Sequence, residues 1–399
     1  MKILISGGGV AGPTLAYWLA RYGFQPTIIE KAPQLRTAGY IVDFWGAGMD
    51  VAGCMGLIPE IRRKGYVVQE VRVVNRSGKR VAGFSPEVFA RATQGGFVSL
   101  PRGDLAASIF STVEGKIEAI FGDSIARIQQ ESGCVRVAFE RGPEREFDLV
   151  VGADGLHSKV RELVFGAESK FEKYLGYIVA AFTIDNYSPR DELVYVMYTE
   201  VHQQVARFSM RDGRTMFLFV FTGEDVPSTG DGDIVSQKAL LRKHFGNSGW
   251  ECPQILEALD ACRDLYFDRV SQIRMDPQQG LWTKGRVTLV GDAASCVSLL
   301  AGQGSALAMV ASYILAGELS QHGGDYQRAF ARYQEQFAPF VQAKQKAALR
   351  LAGFFAPKSA MALFFRDRVI NLLSIPWVAD FAVARELTDK IALPEYAPH

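Results

Sequence analysis

The feature that most constrains this 399-residue sequence is its beginning, where an apolar segment leads into a glycine-rich turn. Residues 2–6 have the composition of a buried strand, residues 7–12 read GGGVAG, and residues 13–22 show helical spacing of apolar side chains. A second short strand, at 27–30, ends in Glu30. This order of strand, helix and strand is a βαβ unit, whose strands pair in parallel. It predicts an α/β fold.

The glycines fit the pattern G-x-G-x-x-G in the setting that dinucleotide binding requires. Gly7 permits the tight turn, Gly9 lets a pyrophosphate approach the backbone, and Gly12 lets the helix pack closely on the strand. The helix N-terminus then offers free N–H groups and partial positive charge to phosphates. Glu30 is placed to accept the hydroxyls of an adenosine ribose. A glycine-rich turn without a ligand is the alternative, and the joint presence of strand, helix and acid favours nucleotide binding.

A second strand followed by a glycine-flanked acid occurs almost three hundred residues later. The strand at 287–290 leads to Asp292, and the turn Gly302, Gln303 and Gly304 starts another helix. Ligands of open α/β sheets bind at the carboxyl ends of the strands. One long cofactor explains both ends of the chain, with its adenosine diphosphate half on the first glycine turn. FAD has this length, and a helix N-terminus stabilises the negative charge of its reduced flavin.

A third turn, GADGLHSKVR at 152–161, follows the apolar strand ending at Val151. Its glycines free the backbone around Asp154, Ser158 is placed as a helix N-cap, and Arg161 lies one turn into that helix. An aspartate in such a turn is usually structural, but the full spacing is more specific.

The pattern of residue types changes in the middle of the chain. From 177 to 275, aromatic and β-branched runs are separated by turn residues, which is typical of an antiparallel sheet. The α/β pattern returns at 286–290, and the remainder is mostly helical. We therefore predict an α/β architecture with a Rossmann-like FAD domain, an inserted antiparallel-sheet substrate domain and C-terminal helices. The expected segments are 1–174 and 281–322 for the FAD domain, 175–280 for the substrate domain, and 323–399 for a helical cap.

Composition excludes several classes of partner. The formal net charge is +1 and no long basic run occurs, so we expect neither nucleic acid nor an anionic membrane as partner. The five cysteines are scattered without metal-ligand spacing, which argues against a zinc site and favours a reducing cytoplasm. No signal peptide is recognisable, and no apolar run reaches the roughly 20 residues of a membrane span. We expect a cytoplasmic protein that is a monomer or weak homodimer.

The sequence resembles a known family, the class A flavoprotein monooxygenases of the para-hydroxybenzoate hydroxylase fold. GGGVAG with Glu30, LPRGDL, GADGLHSKVR and GDAASCVSLLAGQG carry the resemblance, which extends from Gly7 to Gly304, about three quarters of the chain. Together, the motifs and this resemblance indicate the following cofactor-binding residues: Gly7, Gly9, Ala11, Gly12, Glu30, Lys31, Arg36, Arg102, Asp154, Asp292, Gly302, Gln303 and Gly304.

The resemblance also implies individual roles. Arg102, in LPRGDL, would contact the cofactor, and Arg36 occupies the place of a flavin-proximal arginine. Asp154 falls in a motif linked to both FAD and the nicotinamide cofactor. Asp292 would bind the ribityl chain, and the loop at Gly302 would abut the isoalloxazine.

The family's chemistry implies reduction of FAD by NADPH or NADH, then reaction with molecular oxygen to form a flavin C(4a) hydroperoxide. Its distal oxygen is electrophilic, so the substrate should be an electron-rich aromatic or enolic small molecule. The sequence is most similar to the tetracycline-inactivating monooxygenases and related hydroxylases of polycyclic compounds, which suggests a polyketide-like substrate. The protein mainly positions the substrate and excludes water, and no obligatory catalytic side chain is assigned. Only one dinucleotide fingerprint occurs, so the nicotinamide is expected to dock transiently.

Two positions depart from the family pattern. The usual GDAAH turn is followed by a proline four residues later, and here those places hold Ser295 and Leu299. Because that proline lies beside the reactive edge of the flavin, Leu299 keeps an FAD-dependent dehydrogenase or reductase open as an alternative. A non-catalytic flavin-fold binding protein is a second alternative. A flavin halogenase is disfavoured because a WxWxIP segment is absent.

The substrate-binding residues are predicted less directly. Phe217 and Phe219 share one face of a strand. With Phe182 and Leu299 they could floor an aromatic substrate cavity above the flavin, and an ordinary hydrophobic core explains the phenylalanines equally well. An apolar stripe that includes Phe364 and Trp377 is interpreted as part of helices that close the cavity.

Overall fold

The computed structural model describes residues 1–35, 40–93, 95–223, 233–375 and 391–396. The strands in these ranges are β1 (Lys2–Ser6), β2 (Gln25–Glu30), β3 (Ile41–Phe44), β4 (Glu70–Val74), β5 (Arg80–Phe84), β6 (Val98–Pro101), β7 (Glu118–Phe121), β8 (Ile125–Gln130), β9 (Val135–Phe139), β10 (Arg145–Phe147), β11 (Leu149–Gly152), β12 (Glu172–Asp185), β13 (Val194–Glu200), β14 (Gln203–Ser209), β15 (Arg214–Thr222), β16 (Tyr266–Ile273), β17 (Thr283–Lys284) and β18 (Val287–Leu289).

The α-helices in the same ranges are α1 (Ala11–Arg21), α2 (Ala47–Cys54), α3 (Ile58–Lys64), α4 (Glu87–Ala92), α5 (Arg102–Phe110), α6 (Lys159–Phe165), α7 (Ile234–Phe245), α8 (Cys252–Ala261), α9 (Asp292–Ser295), α10 (Gly304–Gln321), α11 (Tyr326–Phe355) and α12 (Ala360–Leu372). Residues Leu299–Ala301 form a 3₁₀ turn between α9 and α10.

A six-stranded sheet in the order β17-β18-β11-β1-β2-β7 forms the first layer. Its strands are parallel apart from the antiparallel pair β17–β18, which confirms the predicted α/β fold with a parallel sheet. Ile3, Leu4 and Ile5 of the central strand are fully buried, and α1 packs against α10. Because β1, β11 and β18 are neighbours and parallel, the three glycine turns that follow them lie together at the carboxyl end of the strands.

The second large sheet has seven strands in the order β16-β12-β15-β14-β13-β4-β5. The predicted antiparallel runs form five of them, but β4 and β5 come from residues that we assigned to the FAD domain. β4 pairs in parallel with β13, so the sheet is mixed rather than antiparallel. The expected segment 175–280 is therefore not the whole sheet. A lone two-stranded hairpin is marginal in water, and the open edge of β13 offers β4 its hydrogen-bonding partners.

Helices cover both faces of this mixed sheet. The face formed by Phe217 and Phe219 packs against α7 and α8, two helices that the sequence interpretation did not include. The opposite face is turned toward the FAD domain, where it contacts Leu299 and the end of α11. The two faces therefore have different roles, one purely structural and one directed at the cofactor loops.

The C-terminal part is helical, as predicted. α11 and α12 follow α10, and α12 packs against β5 and β13. A further helix that we predicted at 378–388 lies outside the described residues, as does Trp377. Within the ranges given above, no single helix is long and apolar enough to cross a membrane; the pair α11 and α12, bent by 106° at its junction, has the length and composition of a broken span.

A small two-stranded sheet, β3 with β6, lies beside the FAD domain. One of its faces packs into the core of that domain through Val42, Phe44, Val98 and Leu100. This pair places Asp43 opposite Ser99 in the ladder.

Candidate cofactor and active site

The first glycine turn is closely packed where it must be tight and open where a ligand would approach. A Cβ on Gly7, whose φ is +114°, would lie 2.4 Å from the Ala153 carbonyl oxygen. A Cβ on Gly12 would lie 2.0 Å from the Gly7 carbonyl oxygen. At Gly9 the nearest atom is instead Nη2 of Arg102, at 3.8 Å. Gly7 and Gly12 thus serve the turn, whereas Gly9 leaves its backbone free beside a guanidinium group, which suits a pyrophosphate.

Glu30 is fixed at the end of β2 by two backbone donors. The Gly8 N–H donates to its Oε2 (2.7 Å), and the Ala32 N–H donates to its Oε1 (2.9 Å). The carboxylate is half-buried against the glycine turn, and its contact with a ribose stays a prediction. Lys31 follows it and is exposed.

Ala11 has a packing role. It is 6% exposed, and its carbonyl oxygen accepts a hydrogen bond from the Ser312 hydroxyl of α10 (3.0 Å). Its Cβ lies 3.1 Å from where a Cβ on Gly291 would be. The glycine turn at 7–12 therefore contacts the turn that contains Gly291 through Ala11.

Asp292 is influenced by the charge of Arg102, which lies far away in the chain. Burial raises the pKa of the Asp292 carboxyl, and the positive charge of Arg102 opposes this shift. A Cβ on Gly304 would lie 3.6 Å from Oδ1 of Asp292, so the carboxylate faces the first residue of α10. The side chain nevertheless keeps partial solvent access, so it lines a concavity rather than the core.

The Asp154 carboxylate, by contrast, accepts its hydrogen bonds mainly from residues of its own turn. Oδ1 accepts from the Ser158 hydroxyl (2.5 Å), and Oδ2 accepts from the Val160 N–H (3.1 Å) and more weakly from the Ser6 hydroxyl (3.4 Å). Ser158 also caps α6 through the Arg161 N–H (3.0 Å), as predicted. These contacts organise the turn, whereas Asp292 has a side-chain hydrogen bond with Cys296 and keeps partial solvent access.

Arg161 connects the glycine turn at 152–161 to the turn that contains Asp292. Its side chain is fully buried and donates to the carbonyl oxygens of Ala293 (3.0 Å) and Leu156 (2.6 Å) and to Glu168 (2.6 Å). The sequence indicates the position of Arg161 in the helix but not this contact. A buried charge needs such partners, and they hold the Asp292 loop in place.

His157 is exposed to solvent and lies between two carboxylates. Nδ1 is 2.9 Å from Glu168, and Nε2 is 3.3 Å from Asp268 of β16. Hydrogen bonding to Asp268 and then to Glu168 raises the pKa of His157 to about 10. The imidazolium therefore ties the FAD domain to the mixed sheet.

The loop between Asp292 and α10 contains backbone strain and an orphaned hydroxyl. Ser298 has a φ of +145°, outside the regions that non-glycine residues usually adopt. Its buried Oγ has no hydrogen-bond partner among the residues that the structure describes. Gly302 has a φ of +66° and leads to Gln303, the N-cap residue of α10, which makes no side-chain cap. The loop thus keeps polar groups available for a bound molecule.

The two departures from the family pattern have different surroundings. Ser295 lines a cavity of about 230 Å³ with Trp282 and Gln345. Leu299 packs with Val220 and Tyr177 on the face of the mixed sheet that is turned toward the FAD domain.

The predicted aromatic floor of a substrate cavity is corrected by the structure. Phe182, Phe217 and Phe219 are at most 3% exposed and pack with Phe245 of α7. They lie on the face of the sheet opposite Leu299, because residues at odd and even positions of a strand point to opposite faces. Of the predicted substrate residues, Leu299 alone is on the cofactor side. Arg36 lies outside the described residues.

Two tyrosines that the sequence interpretation missed lie on that side. The Tyr40 and Tyr266 rings are 5.2 Å apart, and the Tyr40 carbonyl oxygen accepts from the Arg102 N–H (3.0 Å). Burial raises the pKa of Tyr40 to about 12, with Arg102 opposing and Asp292 adding to the shift. Tyrosines in segments without a recognisable motif carry no signal that would have identified them.

Comparison with known proteins agrees with this geometry. A family model for an FAD binding domain matches residues 1–348. A flavin-dependent monooxygenase of an unknown prokaryotic organism is 35% identical over 396 residues, covering 99% of both chains. The chain belongs to the class A FAD-dependent monooxygenases. A flavin-dependent monooxygenase of Legionella longbeachae serogroup 1 is 34% identical and covers 99% of this chain and 98% of its own.

A solved structure supports the same assignment. The crystal structure of the tetracycline destructase Tet(51) superposes with a TM-score of 0.83 at 34% identity, over 99% of both chains. The enzyme is thus an FAD-dependent oxidoreductase with the fold that the motifs predicted. The residues fit the cofactor, since an open Gly9 backbone, a partly exposed Asp292 and an orphaned Ser298 hydroxyl are available at one edge of the sheet.

Proposed function

We propose that this monooxygenase binds FAD in an extended conformation between the first and last glycine turns. Glu30 would hold the adenosine ribose, and the Gly9 backbone with Arg102 would hold the pyrophosphate. Asp292 would hold the ribityl hydroxyls, and the N-terminus of α10 at Gly304 would face the flavin. The observation that carries this proposal is that the glycine turn at 7–12 meets the Asp292 turn, since the Ala11 Cβ lies 3.1 Å from where a Cβ on Gly291 would be. Arg102 lies beside the first turn, 3.8 Å from a Cβ on Gly9, and Asp292 faces Gly304 at the start of α10.

The residues of the chain then have defined tasks. FAD, when bound, accepts two electrons from a nicotinamide and activates molecular oxygen for transfer to the substrate. α10 directs its free N–H groups at the site, so its partial positive charge favours the reduced cofactor. Arg161 and His157 hold the surrounding turns together, which keeps Asp292 in position. Leu299 and Leu300 seal the loop against the mixed sheet and exclude water.

We infer further that the substrate is an electron-rich aromatic or enolic molecule with several fused rings, of the tetracycline type. The likeness to a tetracycline destructase over the whole chain supports this class. The cofactor-side face of the mixed sheet, with Met216, Leu218 and Val220, supports it too, because it offers apolar surface beside the flavin loop. NADPH or NADH would act as a transient reductant.

The experiment is an assay of NAD(P)H oxidation and oxygen uptake by the FAD-loaded enzyme. Tetracyclines, simple polyphenols and polyketide aromatics are compared, and products are identified by mass. A product heavier by one oxygen atom from a tetracycline, with incorporation from ¹⁸O₂, is the expected result. Oxidation of simple phenols without any action on fused-ring substrates would contradict the proposed class.

One observation keeps a dehydrogenase or reductase as the second candidate. Leu299 occupies the place where the family pattern has proline, and it is the first residue of the 3₁₀ turn beside the flavin loop. If an artificial acceptor reoxidises the flavin far faster than oxygen does and no oxygenated product forms, this second function is the correct one.

A further inference from the structure

Gly317 is a buried glycine in the interior of the 18-residue helix α10. Glycine in such a place is destabilising relative to alanine, because it loses more conformational freedom on folding. The structure shows what the missing side chain permits. A Cβ on Gly317 would lie between 2.1 and 2.4 Å from three ring atoms of Tyr396. The glycine thus makes room on α10 for an aromatic ring from a distant part of the chain.

Hydrogen bonds fix Tyr396 in this place. Its hydroxyl donates to Oε1 of Glu318 (2.7 Å), which also accepts from Nε2 of Gln336 in α11 (2.6 Å). Glu318 is 2% exposed, and a buried carboxylate needs such donors. The Tyr313 hydroxyl of α10 donates to the Pro394 carbonyl oxygen (2.7 Å). Both the ring and the backbone that precedes it are therefore bound to α10.

The segment that carries Tyr396, residues 391–396, has no regular secondary structure. Ile391, Leu393 and Tyr396 are partly buried against the core of the FAD domain. Side-chain contacts of this kind are what hold an irregular segment in place. Residues 391–396 are referred to below as the C-terminal strap.

The C-terminal strap contacts a pair of helices rather than one. The Tyr313 ring lies 5.3 Å from the Tyr396 ring and 4.8 Å from the Trp18 ring of α1. α1 and α10 also pack directly on each other. The strap, Tyr313 and Trp18 thus form one continuous set of contacts from 391–396 to α1.

Both helices begin at turns that the proposed function assigns to FAD, α1 at the glycine turn 7–12 and α10 at Gly304. Gly317 follows Gly304 by 13 residues, so the strap contacts α10 about 20 Å from its N-terminus. A helix is a rigid element, so a constraint near one end restricts the position of the other. The strap can therefore influence the FAD site through the helices.

We propose that the C-terminal strap sets the position of α10 for FAD, with Tyr396 as the positioning residue, so that docking of the strap and binding of FAD favour each other. This inference rests on the proposed function, which places FAD at the N-terminal ends of α1 and α10. With the strap docked, α10 presents its free N–H groups where the flavin needs them. With the strap undocked, only the fraction of molecules with α10 in that position binds FAD tightly. By linkage, FAD strengthens the docking of the strap by the same factor.

The first test measures the affinity of the full-length chain for FAD. FAD is titrated into the FAD-free unsubstituted protein, Tyr396→Ala and Tyr396→Phe, and flavin fluorescence gives the Kd. We expect the Kd to rise at least about five-fold in Tyr396→Ala, the lower end of typical coupling between sites, and less in Tyr396→Phe, which keeps the ring. Tyr326→Ala is the control, because Tyr326 is a partly buried tyrosine of α11 that packs on Arg286 and Phe330. Its Kd for FAD should stay within two-fold.

Gly317→Ala tests whether the Tyr396 ring occupies its place in solution. Alanine is the better helix former, so this substitution stabilises α10 where no ring is present. We therefore expect a lower midpoint of urea unfolding for Gly317→Ala in the FAD-free protein, and a higher midpoint when the same change is added to Tyr396→Ala. Gly353→Ala in α11 is the matched control, because its Cβ would meet no atom nearer than 3.9 Å. It should raise the midpoint in both backgrounds.

The reciprocal measurement needs no substitution. Amide hydrogen exchange of peptides that cover the C-terminal strap is followed by mass spectrometry with and without FAD. Because linkage is reciprocal, FAD should slow this exchange by a factor similar to the loss of FAD affinity in Tyr396→Ala.

The outcomes separate this inference from the proposed function. A Kd in Tyr396→Ala within two-fold of the unsubstituted value, or exchange of the strap that FAD leaves unchanged, would overturn the coupling and leave FAD binding intact. A higher unfolding midpoint for Gly317→Ala with Tyr396 present would overturn the docking itself. An equal loss of FAD affinity in Tyr326→Ala would assign the effect to general destabilisation. If the unsubstituted protein binds no FAD, the proposed function and this inference fail together.

Discussion

Asp154 and Asp292 have nearly the same local sequence, since each follows a buried strand and a glycine turn, yet the structure predicts opposite effects of removing them. Asp292→Ala should weaken FAD binding and leave the stability of the FAD-free protein almost unchanged. Asp154→Ala should lower the stability of the FAD-free protein. The difference arises because the Asp154 carboxylate is saturated by protein donors, whereas Asp292 has a partly open carboxylate.

The magnitudes follow from these contacts. Asp154 accepts two well-formed hydrogen bonds, at 2.5 and 3.1 Å, whose loss leaves Ser158 and the Val160 N–H without their acceptor. At about 1 kcal/mol each, the free energy of unfolding should fall by about 2 kcal/mol. For Asp292, one charge-assisted contact to cofactor hydroxyls is worth roughly 1.5–3 kcal/mol. This corresponds to a ten- to hundred-fold increase in the Kd for FAD.

Two measurements separate the effects. Flavin is removed from both variants and from the unsubstituted enzyme, and FAD is titrated back while flavin fluorescence is followed. Urea unfolding of the FAD-free proteins, followed by circular dichroism, then gives the change in stability. Working without FAD matters because bound cofactor would itself stabilise the fold.

The reasoning would be refuted by a reversal of the pattern. If Asp292→Ala destabilised the FAD-free protein by 2 kcal/mol and left the Kd for FAD unchanged, Asp292 would be structural. If Asp154→Ala raised the Kd without affecting stability, its hydrogen bonds would not be those of the protein in solution.

Three further predictions concern pH, the C-terminal helix and coupling. The pKa of His157 is raised from 6.5 to about 10, mainly by Asp268, so its contribution to stability is full below pH 6.5 and is lost as the pH rises toward 10. The stability advantage over His157→Gln, measured by urea unfolding, should thus be larger at pH 6.5 than at pH 10, and an advantage independent of pH would contradict this. The Thr199 hydroxyl accepts a hydrogen bond from the buried Arg366 of α12 (2.9 Å) and donates one to Gln204. Thr199→Val should therefore lower the free energy of unfolding by about 1–3 kcal/mol, and Thr199→Ser by much less. Equal losses of stability in urea unfolding would show that the hydroxyl is not responsible. Leu299→Pro should lower the hydrogen peroxide released per NADPH consumed, because proline fixes φ at the start of the 3₁₀ turn. Leu299→Ala is the control, and tight coupling in the unsubstituted enzyme would refute the idea that leucine at this position causes uncoupling.

The FAD domain was predictable because its signals are local. A short apolar strand, a glycine turn and a helix are each specified by the residues within them. The bounds predicted for β1, α1 and the start of α10 are therefore close to those observed. Parallel pairing then followed from the βαβ order, and it implied that the turns before α1 and after β18 would meet. These inferences needed no knowledge of distant contacts.

The mixed sheet shows where local signals end. Nothing in residues 70–84 indicates whether β4 pairs within the FAD domain or with β13, because the partner is chosen by an open strand edge far away in sequence. The alternation of β15 likewise showed that its two faces differ without showing which of them α7 and α8 cover. Of the two interpretations that the sequence left open for the phenylalanines, a substrate floor and a hydrophobic core, the structure therefore supports the core.

The sequence by itself determined the cofactor, the fold of its domain and the residues that line the glycine turns, because these depend on backbone freedom and on residues close together in the chain. Only the tertiary structure decided how the individual acids differ. Asp154 accepts its hydrogen bonds within its own turn, whereas Asp292 keeps partial solvent access, faces the first residue of α10 and is influenced by the charge of Arg102. The physical reason is that the hydration and electrostatic environment of a carboxylate depend on everything packed around it, most of which comes from distant segments.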